Sequence, residues 1–128
     1  MGCGRWGRLI ARDLLQSSVL LTVVDPSPDA AAYARANDAT WLSAASELVH
    51  DHLDGVVVAT PASTHAAVLA EVAALDVPVF CEKPLTVHVR EAESVVDRLG
   101  DRLHVMHVWR YHPGVELLGE LARSGALG

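Results

Sequence analysis

Short apolar runs alternate with amphipathic stretches along the whole chain. Trp6, Leu9, Ile10 and Leu14 recur at helical spacing, which predicts a helix opening inside a glycine-rich turn. Val19 to Val24 is a β-branched run, read as a strand that ends at Asp25. Ser27 has the form of an N-cap, with Pro28 at the first helical position and the helix reaching about Asn37. A weak strand near Thr40 to Leu42 and a short helix around Ala45 to His50 follow. Gly55 to Ala59 reads as a fully buried strand, and Ser63 or Thr64 as the cap of a helix ending near Leu75. Val79 to Glu82 is the next strand, Val89 to Leu99 a helix with Gly100 just past its end, and Leu103 to Trp109 a further strand. Pro113 to Arg123 is the last helix, followed by Gly125.

Strands alternating with helices of this length imply parallel βαβ units with right-handed crossovers. The expected fold class is α/β, a doubly wound parallel sheet of the Rossmann type. In such a fold a strand precedes the glycine turn, but here only Met1 does. The first strand is therefore expected to be missing, leaving its two neighbours without a ladder partner. The chain is read as one dinucleotide-binding domain, residues 1–128, truncated at both ends.

Composition narrows the function classes. The 128 residues suit one core, and a hydrophobic share of 51% argues against disorder. A formal charge of −6 argues against general affinity for nucleic acid or an acidic membrane. No apolar run approaches the roughly 20 residues needed to span a bilayer, and no signal peptide is read. Cys3 and Cys81 form neither a metal pattern nor a disulfide framework, so a reducing cytoplasm is the default expectation. His50 and His52 flank Asp51, and His104 and His107 sit on or near a strand, but none has a partner at metal spacing, so no metal is expected.

Two motifs carry chemistry. Gly2-Cys3-Gly4-Arg5-Trp6-Gly7 has the G-x-G-x-x-G spacing. Gly2 would allow the tight turn, Gly4 the approach of a pyrophosphate, and Gly7 close packing of helix on sheet. The helix amino terminus offers unpaired N–H groups to the anion. Asp25 follows at the end of the next strand, 18 positions after Gly7. It reads either as a turn residue beside Pro26 or as the acid that accepts the ribose hydroxyls. In the second reading it repels a 2′-phosphate, and no Lys or Arg lies in Pro26 to Asp29 to receive one, which favours NAD over NADP.

The second motif is Glu82-Lys83-Pro84-Leu85, directly after an apolar run. Lys83 reads either as an ordinary loop lysine or as a functional group aimed into the crevice at the strand ends. Partial desolvation there would fit it for proton transfer. Pro84 restricts Lys83 to an extended backbone. Thr60 and Pro61 end the buried strand as a βα turn that also faces the crevice. His65 sits in the first turn of the next helix, where a lone histidine is more often structural, and spacing alone gives it no catalytic role.

Taken together, four segments resemble the amino-terminal domain of the glucose–fructose oxidoreductase/inositol dehydrogenase (Gfo/Idh/MocA) family. They are Gly2 to Gly7, Val57 to Pro61 with Thr64-His65, Glu82 to Leu85, and Val105 to Gly114. The tail Leu121 to Gly128 matches the usual helix exit of that family. The resemblance implies an NAD-dependent oxidoreductase acting on a secondary alcohol of a sugar, cyclitol or related compound. It implies that Lys83 contacts the reacting hydroxyl and that Glu82 places Lys83 and the nicotinamide ribose. Arg5 and Trp6 would lie along the pyrophosphate and nicotinamide, while Thr60, Pro61 and His65 line the cofactor cleft. Trp109 and Arg110 would approach cofactor and substrate. Trp109 to Pro113, with the Gly4-Arg5-Trp6-Gly7 turn, resembles the members that oxidise nucleotide-linked amino sugars. The family's substrate domain, which brings most substrate contacts and a homo-oligomer interface, is absent from the sequence. Two rivals remain: a non-catalytic nucleotide-binding module or inactive remnant, and a methyltransferase, which leaves Glu82-Lys83-Pro84 unexplained.

Overall fold

A computed structural model of the chain describes residues 1–48 and 53–127. The elements run α1 (Arg5–Gln16), β1 (Thr22–Val24), α2 (Pro28–Ala36), β2 (Thr40–Leu42), β3 (Val56–Val58), α3 (His65–Val72), β4 (Val79–Cys81), α4 (Val89–Leu99), β5 (Leu103–Val105) and α5 (Pro113–Arg123). All strand pairs are parallel: β1 with β2, β3 with β4, and β4 with β5. This is the expected Rossmann-like α/β architecture.

The strands form two sheets, β1-β2 and β3-β4-β5, rather than one. Met1 and Gly2 lie between them. The Met1 ammonium donates to the Val57 carbonyl at 2.6 Å, and the Ala59 amide donates to the Met1 carbonyl at 2.8 Å. On the other side the Gly2 amide donates to the Val24 carbonyl at 2.9 Å. These bonds place Met1 and Gly2 where the last residues of a central strand would run. The strand order is therefore β2-β1, the Met1–Gly2 bridge, then β3-β4-β5, and β1 and β3 do not pair with each other.

Each sheet has its own core. Val56, Val58, Val79 and Cys81 pack with Leu69, Val72 and Leu75 and with Val95 and Leu99 of α4. Full burial of a Val or Leu side chain contributes about 1.5–3 kcal/mol, so this larger cluster dominates stability. The smaller core holds Cys3, Val23, Ala30 and Ala34. Small alanines on α2 let it lie close against β1. The Ser27 hydroxyl accepts from the Ala30 amide at 3.2 Å with Pro28 opening the helix, so the expected cap is made. Gly100 ends α4 at φ 52°, a conformation that glycine adopts without cost.

Several expected boundaries move. β1 starts at Thr22 rather than Val19, because Leu20 is fully exposed and has no core face to pair against. The Thr64 hydroxyl does not cap α3; it bonds Thr60 Oγ1 and the Pro61 carbonyl, and a single 3-10 turn, Ala62–Thr64, leads into the helix. α3 ends at Val72, with Leu75 in the turn beyond. The strand expected to reach Trp109 stops at Val105. Met106 still donates to the Cys81 carbonyl at 2.8 Å, but beyond Cys81 β4 leaves the ladder through the Glu82–Pro84 turn. With no partner strand, residues Val108–Tyr111 wind into a 3-10 turn. The short helix expected over Ala45 to His50 is a 3-10 turn at Ala45–Glu47. Its remainder, with His50, Asp51 and His52, lies outside the described residues, as does Gly128.

Candidate functional site

The carboxyl ends of the strands converge on one edge of the molecule, where open parallel sheets bind ligands. There a cleft of about 400 Å³ is lined by Trp6 from the start of α1, Ala59, Thr60 and Ala62 from the end of β3, His65 from α3, Glu82 and Lys83 from the end of β4, and Val108 and Trp109 beyond β5. Four sequence segments far apart along the chain thus share one wall.

The glycine turn is built as its spacing predicts. Gly2 has φ 83°, and a Cβ there would sit 2.7 Å from the Thr60 amide nitrogen. A Cβ on Gly7 would collide with the Gly2 carbonyl oxygen, so Gly7 lets α1 close over the turn. Gly4 differs: it is exposed, and a Cβ there meets no protein atom within 4 Å. Packing does not demand glycine at that position, and the open side is where a ligand would approach the backbone. Gly4 is also the N-cap of α1, with no side-chain cap bonding the first amides. Uncapped amides and the positive end of the helix suit a phosphate. On these observations the turn fits a dinucleotide.

Asp25 braces the same turn from the end of β1. Its carboxylate accepts from the Cys3 amide at 2.7 Å and from the Ser27 amide at 2.9 Å. Burial by itself would raise the carboxyl. The Cys3 and Ser27 amides, the Ser27 side chain and the nearby terminal ammonium outweigh it and hold the group below the usual carboxylate range. Asp25 is thus anionic and fixed, half-buried at the strand end, with lone pairs remaining for further donors.

Glu82 is 8% exposed and joins two parts of the site. Its carboxylate accepts from the Trp6 indole N–H and, at 3.1 Å, from the Lys83 amide. Lys83 is exposed on the cleft wall, so this domain by itself does not supply the partial desolvation expected for it. The Lys83–Pro84 peptide bond is cis. Behind it, burial pushes the Cys81 thiol up to about 12, with the Glu82 charge adding to the effect. Cys81 is a packing residue of the larger core.

His65 is 1% exposed, and both its ring nitrogens contact backbone carbonyls. Its ring borders the cleft with its polar atoms already engaged by protein. Arg5 and Arg110 are exposed and stand apart from the cleft lining, as does the exposed Pro61. Among the described residues, no group of three or more His, Cys, Asp or Glu is gathered as a metal site. No helix of the described residues is long and apolar enough to cross a membrane.

Sequence reasoning missed Arg8. Its guanidinium donates to the Cys3 carbonyl at 3.1 Å and to the Asp29 carbonyl at 3.3 Å, and lies 5.3 Å over the Tyr33 ring. It staples the glycine turn to α2. Its place one helical turn after Gly4 was the available signal. Sequence reasoning also missed Ala62 and Val108, whose apolar side chains carry no chemical signature.

Comparison with known proteins agrees with this geometry. The family model for the Gfo/Idh/MocA oxidoreductase family, NAD-binding Rossmann fold, matches residues 1–109. The rhizopine catabolism protein MocA of Rhizobium meliloti is 31% identical over 100% of this chain and 42% of its own length. An inositol 2-dehydrogenase of Acidothermus cellulolyticus is 40% identical over 82% of this chain and 32% of its own. The crystal structure of the WlbA dehydrogenase from Bordetella pertussis, in complex with NADH and UDP-GlcNAcA, superposes with a TM-score of 0.86 at 25% identity, covering 97% of this chain and 40% of that one. The chain spans less than half the length of each of these proteins.

Proposed function

Because the chain belongs to the Gfo/Idh/MocA oxidoreductase family and carries its NAD-binding Rossmann fold, we propose that it is the cofactor-binding half of an NAD-dependent dehydrogenase. The substrate class is a secondary alcohol of a sugar, a cyclitol or a nucleotide-linked sugar. The observation that carries this reading is the shared cleft wall: Lys83 and Glu82 at the end of β4 face the same space as Trp6 of the glycine turn. The whole chain then serves as one dinucleotide-binding domain of a longer, homo-oligomeric polypeptide whose second domain completes the substrate site. The relatives named for inositol, and the neighbour crystallised with NADH and UDP-GlcNAcA, support the substrate class.

Gly4 and the α1 amides hold the pyrophosphate on a turn that Gly2 and Gly7 shape, with Arg5 beside it. Asp25 takes the adenosine ribose hydroxyls. Thr60 and Trp6 border the nicotinamide half, and Glu82 orients its ribose. When bound, the nicotinamide supplies the hydride acceptor. Lys83 holds the substrate hydroxyl and moves its proton, and Glu82 keeps the Lys83 backbone in place through the bond to its amide. Trp109 closes the substrate side.

The test is Lys83→Ala in the polypeptide that carries this domain. NAD affinity should stay nearly intact while turnover falls about 10²–10⁴-fold, the usual worth of a positioned acid–base group. Unchanged turnover would remove Lys83 from the chemistry and leave a nucleotide-binding module.

A further inference from the structure

Cys3, inside the glycine turn, is held from both sides by side chains of opposite charge. Its amide donates to the Asp25 carboxylate at 2.7 Å. Its carbonyl accepts from Nε of Arg8 at 3.1 Å. Arg8 stands on α1, one helical turn past Gly4, whose carbonyl accepts from its amide. The guanidinium is itself fixed. Nη2 donates to the Asp29 carbonyl in the first turn of α2 at 3.3 Å, and the Tyr33 ring lies beneath it, 5.3 Å away at its centroid. The Tyr33 hydroxyl donates back to the Arg8 carbonyl at 3.2 Å. A planar fork of donors can reach two carbonyls and stack on a ring at once, which a lysine ammonium cannot do.

A trans peptide is planar, with its N–H pointing opposite to its C=O. Turning the Cys3 carbonyl onto Arg8 therefore sends the Gly4 N–H the other way. Among the described residues no backbone carbonyl accepts that N–H, and Gly4 is exposed. We propose that Arg8 is a positioning residue for the cofactor, fixing the Cys3–Gly4 peptide so that the Gly4 N–H is presented to the pyrophosphate. A donor set in advance leaves less ordering to be done on binding. Arg8 acts through the peptide rather than by its own charge, since Nε and Nη2 are both taken by protein carbonyls. The pyrophosphate role rests on the proposed NAD function, whereas the setting of the turn stands on the contacts alone.

The test compares Arg8→Met and Arg8→Lys with the unaltered chain. Methionine keeps an apolar stem and loses every donor; lysine keeps the charge and loses the fork. NAD and ADP, which share the pyrophosphate, are titrated at a temperature where thermal unfolding shows each chain folded. Both variants should bind both ligands at least about tenfold more weakly, the effect of losing one bond to a charged group. A role confined to stability would lower the melting temperature and leave the affinity of the folded variants unaltered, which overturns the proposal. Full affinity in Arg8→Lys overturns it as well, because charge alone would then suffice. A second arm needs no ligand. Amide exchange at Cys3 should accelerate about tenfold in Arg8→Lys, while the Val56 and Glu82 amides, bonded within the larger sheet, keep their protection. Unaltered exchange at Cys3, or a uniform loss across that sheet, overturns the setting of the turn. If Arg8→Met does not fold, Arg8→Lys carries both arms. An unaltered chain that binds neither ligand overturns the NAD function and the cofactor role together, and the exchange arm still decides whether Arg8 sets the turn.

Discussion

The indole N–H of Trp6 donates to the carboxylate of Glu82, joining the glycine turn to the strand end that bears Lys83. The two residues are 76 positions apart. One belongs to the turn that would hold the cofactor, the other to the segment that would handle the substrate. The bond therefore sets the spacing between two functions. Trp6→Phe and Glu82→Gln should each destabilise the chain, and the double variant should cost less than the sum. A double-mutant cycle by denaturant unfolding should return a coupling of about 1–3 kcal/mol, the range for a bond to a charged group. Additive losses would mean the two side chains act independently.

Gly4 and Gly7 separate binding from folding. Gly4→Ala places its methyl in open space, so thermal stability should change by less than about 1 kcal/mol, the helix-propensity scale. The same methyl stands where a pyrophosphate would approach, so NAD affinity should fall sharply. Gly7→Ala collides with the Gly2 carbonyl and should lower the melting temperature with or without NAD. Thermal unfolding of both variants, with and without saturating NAD, reads the contrast.

Asp25 bears on cofactor choice as well as on the turn. Its carboxyl is held below the usual range and is ionised at neutral pH. A 2′-phosphate roughly 4 Å away would meet a repulsion of about 1 kcal/mol or more. Asp25→Asn should therefore narrow the NAD-over-NADP preference at least about fivefold, while losing some stability because one amide of the turn faces an NH₂ group. Titrating both cofactors into the variant checks the ratio. An unchanged preference would confine Asp25 to bracing the turn.

The terminal ammonium of the chain gives a pH dependence with a definite sign. Burial lowers its pKa to about 6 from a usual 8.0, with the Cys3 and Asp25 charges partly opposing. Between those values the unfolded chain binds more protons than the folded one, so stability rises with pH across the window. The lowering from 8.0 to about 6 corresponds to roughly 3 kcal/mol. Asp25 acts in a separate window: its contribution is present above the usual carboxyl value of 3.8 and is lost as pH falls through its lowered folded pKa. Denaturant melts of the chain from pH 5 to 9 should show the rise, and acetylating the Met1 amine should flatten it. A flat profile for the unmodified chain would mean that the amine is solvated.

Much of this was legible in the sequence because the signals were local. Period and turn chemistry located every helix and strand of the described residues, and the two motifs predicted which strand ends would form the cleft. What escaped depended on partners distant in sequence. The strand from Leu103 was read too long because nothing in Met106–Trp109 announces that β4 has already turned away at Pro84. His65 does border the cleft, as the resemblance implied, but spacing could not show that carbonyls from two separate turns meet its ring. Glu82 was expected to serve Lys83, and its amide bond agrees with that, but the tether to Trp6 needed the fold.

The Met1–Gly2 bridge has a mechanical consequence. Among the described residues, three backbone hydrogen bonds through Met1 and Gly2 are what link the β1 and β3 edges. Each sheet keeps its own apolar cluster, so the chain resembles two cooperative units sharing a narrow seam. A dinucleotide laid from Asp25 to Thr60 would cross that seam. It would act as an external brace, merging two unfolding events into one and stiffening the seam.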